Sequence, residues 1–136
     1  MDLEELRKFR NDKNPYAALL GIRVEEIGPG TARATLHLED RLLNPVGVPH
    51  GGVYFSLADT ACGSAMASHG YYAVTVNASY NFLRSAKLGD HLVAEARETK
   101  GGRTLCFYHV EIRDQAGTLL GSGDFTFYKL DREIEL

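Results

Sequence analysis

The chain has no apolar run near the roughly 20 residues that a bilayer-spanning helix needs, and Met1 to Asn11 mixes charges where a secretion signal would be apolar. A cytoplasmic protein without a membrane partner is expected. Charge of one sign is also lacking: 15 basic and 18 acidic residues leave a net charge of −3, and the basic ones are scattered instead of forming a stripe that could track a phosphate backbone. Nucleic acid is therefore not expected as a partner. Cysteine is scarce. Cys62 and Cys106 show no CxxC and no Cys/His cluster at metal-ligand spacing, so both are expected as buried, reduced thiols, and neither metal nor cofactor is implied. With no repeat and no low-complexity linker, the 136 residues suit one compact domain over 1–136.

What is present alternates between helical and strand periodicity. Leu3, Leu6 and Phe9 stand at helical spacing among charges, predicting a short amphipathic helix over Asp2 to Arg10. A second short helix is expected from Asn14, a suitable N-cap followed by Pro15, to Gly21. Ile22 to Ile27 and Thr31 to Leu38 read as a hairpin around Gly28-Pro29-Gly30, and Arg41 to Pro49 reads as an irregular loop. From His50 to His69, small and apolar residues occur nearly all round a helix, as they must if a sheet encloses it.

Tyr72 to Leu83 reads as a long strand, with Val74, Val76, Ala78, Tyr80 and Phe82 on one face and Thr75, Asn77, Ser79 and Asn81 on the other. Strands over His91 to Thr99, Arg103 to Asp114 and Thr118 to Tyr128 follow, joined by turns short enough for antiparallel hairpins. The fold class is α+β, with a curved antiparallel sheet wrapped on one long central helix. Such a layer leaves a strand edge open, which predicts at least a dimer.

Chemistry concentrates where that long helix begins. His50 stands at its start, and Gly51 and Gly52 have no side chains to block approach to the first unpaired N–H groups. Such a terminus favours partial negative charge, so the Gly51 N–H is the candidate donor to a carbonyl oxygen. Asn44, on the preceding loop, can bring a neutral amide beside it to orient a water or a carboxylate. Asp59 interrupts a helix that is otherwise small and apolar. It is either a rim carboxylate satisfied by a neighbour or solvent, or an acid–base group. Eight residues separate Asp59 from Gly51, about 12 Å along a helix, so one chain cannot bring both to one small group. If both act on one carbonyl, they must come from different subunits.

The pattern Asn44-x-x-Gly47-x-x-His50-Gly51-Gly52 followed by Leu57-Ala58-Asp59 resembles the signature of hotdog-fold thioesterases of the phenylacetic acid degradation (PaaI) type, and Asn81 to Asp90 resembles the strand-end segment that follows it. The likeness covers about Tyr16 to Tyr128 and leaves out the first helix and Lys129 to Leu136. It implies a hotdog fold, a homodimer or homotetramer, and hydrolysis of a small to medium acyl or aryl-acyl coenzyme A, with coenzyme A as part of the substrate. By the same resemblance Gly51 polarises the thioester carbonyl, Asp59 of the facing subunit is nucleophile or general base, Asn44 and His50 position them, and Thr75 lies near the attacking water. Arg84, with Lys87 and Arg103, is a candidate for the phosphates of coenzyme A. Ser85 departs from the family's proline there, so the rigidity of the Arg84 to Lys87 turn differs. Two alternatives remain: a non-catalytic acyl-CoA-binding module, and a hotdog hydroxyacyl-thioester dehydratase, which the His-Gly-Gly and Leu-Ala-Asp residues fit poorly.

Overall fold

The computed structural model describes residues 1–136. Asp2 caps α1 (Leu3–Asp12) by accepting from the N–H groups of Glu4 and Glu5. Asn14 caps α2 (Pro15–Leu20), and Gly21 ends it at φ 83°, a conformation that favours glycine. The sheet holds β1 (Arg23–Gly28), β2 (Thr31–His37), β3 (Tyr71–Phe82), β4 (His91–Gly101), β5 (Leu105–Arg113) and β6 (Leu119–Glu133). Its order is β1-β2-β4-β5-β6-β3, with every pairing antiparallel. The long helix, α3 (Gly51–Ala67), lies across the concave face of this sheet, which is the hotdog arrangement.

The helix can sit close because much of its sheet-facing surface is small. Ala58, Ala61, Cys62 and Ala65 have no exposed area and share one core with Leu36, Leu92, Val110, Ile112 and Phe125. Both thiols are buried and unpaired, as expected. Along α3 only Gly51, Gly52, Phe55, Asp59 and Gly63 escape burial. Gly52, Phe55, Asp59 and Gly63 follow one another at three- and four-residue steps, so they form a single open stripe.

The chain ends, outside the sequence resemblance, are built into the same body. Leu6 of α1 is wholly buried, and Asn11 exchanges two hydrogen bonds with the backbone of Val24. β6 runs on past Tyr128, pairs Glu133 with Tyr71, and places Ile134 in the core.

One expectation about faces is corrected. A bulge between Thr75 and Asn77 breaks the two-residue alternation of β3. Thr75 pairs with buried Phe127 and Ala78 with buried Phe125, so both lie on the helix side of the sheet. Val74 pairs with Tyr128 and lies on the outer face. Val76 is the extra residue, and it turns Thr75 onto the face that regular alternation denies it.

Candidate active site

The start of α3 is built from the loop before it. Leu43 and Pro49 form a bridge, and inside it the Asn44 side-chain oxygen accepts from the N–H groups of Val46 (3.0 Å) and Val48 (3.2 Å). Gly47 closes the turn at φ 91°, where a side chain would be strained. Asn44 thus spends its oxygen on shaping the loop, and only its NH2 group remains available to a ligand. His50 is the N-cap. Its Nδ1 accepts from the Gly52 N–H at 2.9 Å, and its carbonyl accepts from the Val53 N–H at 2.9 Å.

Those two bonds leave the Gly51 N–H without an acceptor in the chain. It opens onto a hollow of about 220 Å³ lined by Pro49, Tyr54, Phe82, Leu83, Arg84 and Ser85. A side chain at position 51 would begin 3.4 Å from the Phe82 ring, so glycine keeps the approach clear. Arg84 shares this hollow with Gly51. The turn after Arg84 is tied down without proline, because the Tyr54 hydroxyl accepts from the Ala86 N–H at 2.9 Å.

Asp59 is half-buried on the open stripe of α3 and faces Thr75, whose hydroxyl donates to its carboxylate at 2.7 Å. Burial raises its pKa above the usual aspartate value; the Thr75 hydroxyl and the charge of Arg10 act in the opposite direction. Asp59 and Thr75 line a second cavity, of about 230 Å³, which the Gly51 hollow does not share. Within one chain the structure therefore gathers Asn44, His50, Gly51 and Arg84 at the helix start, and Asp59 with Thr75 two turns on. The two groups stay apart.

Two residues of the Asp59 cavity carried no functional signal in sequence: Arg10 reads as the solvated face of a surface helix, and Asn14 as a helix cap. Only the packing of α1 and α2 against α3 reveals Arg10 and Asn14 in the Asp59 cavity.

A family model, the thioesterase superfamily, matches residues 46–120, from the loop that shapes the start of α3 to the beginning of β6. The chain belongs to that superfamily. Acyl-coenzyme A thioesterase PaaI of Escherichia coli is 37% identical over 107 residues, which cover 79% of this thioesterase and 75% of that protein. The solved structure of the E. coli PaaI protein superposes with a TM-score of 0.93 at 28% identity, covering 98% of this chain and 96% of that one. A Streptococcus mutans protein solved with acetyl CoA bound superposes with a TM-score of 0.79 at 31% identity, over 83% of this chain and 91% of that one. No helix of this thioesterase is long and apolar enough to cross a membrane.

Proposed function

We infer that this thioesterase hydrolyses acyl-coenzyme A at a cleft completed by two copies of the chain, in which the Gly51 N–H of one copy faces Asp59 of the other. The observation that carries this is the separation of two half-sites: an unpaired helix-start N–H beside Arg84, and a carboxylate with a hydroxyl donor two turns along the same helix. The open edge of β3 supports it. β3 has a neighbour on one side only, and Val74, Val76 and Phe82 along it are 51%, 52% and 57% exposed. An uncovered apolar edge of this length invites pairing with a second copy. Two-fold pairing along β3 would bring the start of one α3 toward the middle of the other.

The chemistry follows from the parts. The thioester carbonyl oxygen accepts from the Gly51 N–H, which stabilises the negative charge that forms as the carbonyl carbon is attacked; one such donor contributes roughly 2.7 to 4 kcal/mol in a water-excluded site. Asp59 acts by one of two routes. As general base it takes a proton from water while the water oxygen bonds to the carbonyl carbon; the C–S bond then breaks and the thiolate takes that proton to leave as coenzyme A. As nucleophile its oxygen bonds to the carbon directly, the thiolate leaves, and water opens the mixed anhydride. Solvent oxygen found in the Asp59 carboxylate after a single turnover in labelled water identifies the second route, with water attacking the anhydride at the Asp59 carboxyl carbon. Arg84, in the Gly51 hollow, is the group best situated for a coenzyme A phosphate.

A complementation experiment tests the shared cleft. Asp59→Asn removes the base, and Gly51→Pro removes the N–H while suiting the first helical position. Each variant alone should be inactive toward acyl-CoA. Unfolded together and refolded, they should recover about a quarter of parental activity, because half the dimers are hybrids and each hybrid keeps one of its two clefts intact. No recovery from well-folded hybrids would place both groups in one chain and overturn the proposal. Acyl-CoA binding without turnover in the parent protein would favour a binding module instead.

A further inference from the structure

The cavity that holds Asp59 continues past the carboxylate. It follows α3 to Gly63, one turn on, and meets Arg10 and Asn14, which reach it from α1 and the start of α2. Its walls also include Ala73, Thr75 and the apolar Phe127. The absence of a side chain at Gly63 makes room for Arg10, whose Nη2 lies 3.2 Å from where a Cβ there would stand.

Arg10 is under-satisfied. Its one hydrogen bond in the chain runs from Nε to the Ser64 hydroxyl at 2.8 Å, and it takes part in no ion pair. A guanidinium carries five N–H donors, so most of its capacity is unspent. Asn14 is similar: its oxygen caps α2 through the Ala17 N–H, and its NH2 group has no acceptor. Burial depresses the pKa of Arg10 while the charge of Asp59, in the same cavity, acts the other way, yet no carboxylate comes within ion-pair distance of the guanidinium. Donors of this kind, left unpaired at the far end of an acyl-sized slot, are complementary to an anion.

We propose that Arg10, assisted by Asn14, binds a carboxylate at the distal end of the acyl chain, so that the preferred substrates are coenzyme A thioesters of dicarboxylic acids. This rests on the thioesterase reading above, with Asp59 at the reacting carbonyl. Length follows from the helix: Gly63 lies four residues beyond Asp59, about 6 Å along the axis, which an extended chain of about five bonds spans. A six-carbon diacid fits that distance. A plain acyl chain of equal length would set a methyl group against the guanidinium and leave its donors unpaired, and that mismatch is what discriminates between the two.

The test compares adipoyl-CoA with hexanoyl-CoA, equal in chain length and different only at the far end. In the parent protein kcat/KM should favour adipoyl-CoA by about tenfold or more, the effect of one charge-assisted hydrogen bond. Arg10→Gln should lower that ratio on the order of 10- to 100-fold, and Arg10→Lys should recover part of it. Equal or lower kcat/KM for adipoyl-CoA in the parent protein overturns the proposal without requiring any variant to fold. So does an unchanged ratio in folded Arg10→Gln. 6-Hydroxyhexanoyl-CoA separates charge from hydrogen bonding, and a rate matching adipoyl-CoA would remove the need for a carboxylate. Hexanoyl-CoA turnover that depends on Asp59, with no adipoyl preference, leaves the thioesterase reading standing and sinks only this inference. No Asp59-dependent turnover of either thioester sinks both.

Discussion

Asp59 is held in a state that costs folding free energy. Its pKa is raised by burial, so the native chain binds a proton more readily than the unfolded one. That contribution to stability is present at low pH and is lost as pH rises from the ordinary carboxylate range through the raised value. Asp59→Asn, which is neutral throughout, should therefore be more stable than the parent protein at about pH 7, with the gap closing in acid; urea midpoints at the two pH values measure it. The same change should lower kcat by roughly 10²- to 10⁴-fold if the carboxylate is the base. Thr75→Val removes a donor that pulls the pKa of Asp59 down, so the acid limb of the pH–rate profile should move to higher pH, measured as kcat/KM against pH. An unmoved limb would mean that another group titrates there. Asp59 was legible in sequence because a carboxylate in a run of small apolar residues is conspicuous. Arg10 was not, since one arginine among the charges of a short amphipathic helix looks solvated.

Among the elements, β3 and the start of α3 decide whether the site residues point the right way. The bulge at Val76 is what turns Thr75 toward Asp59. Deleting Val76 should restore regular alternation and rotate the preceding segment, removing activity while leaving the far-UV circular dichroism of the sheet largely intact. At the helix start, a Cβ on residue 52 would lie 3.0 Å from His50 Nδ1, inside ordinary contact. Gly52→Ala should push the imidazole from its capping bond and destabilise the protein by about 0.5–2 kcal/mol, readable in the thermal midpoint. The cap itself could be anticipated from His50-Gly51-Gly52. The bulge could not, because an extra residue in a strand is defined by its partner strand, and here that partner, β6, arrives some 50 residues later in the chain.

For the molecule as a whole, the two edges of the sheet are treated differently. β1 is short, carries Arg23, Glu25 and Glu26, contains a bulge and is joined to α1 by the Asn11 bonds, all features that discourage pairing. β3 has 12 residues and exposed valines. If two copies pair along β3 and share each cleft as proposed, Val74→Lys and Val76→Lys together should give monomers in sedimentation equilibrium, and acyl-CoA turnover should fall in step. Monomers with undiminished turnover would refute a shared site.

The local pattern of this chain was enough to determine its helices and strands, the glycine-opened helix start and the odd carboxylate, because capping, turn chemistry and hydrophobic period act over a few neighbours. Tertiary structure alone decided that Thr75 meets Asp59, that Arg10 and Asn14 share the Asp59 cavity, and that Gly51 opens onto a different hollow. Those relations join residues distant in the chain, and they depend on strand register and helix docking, which no local pattern encodes.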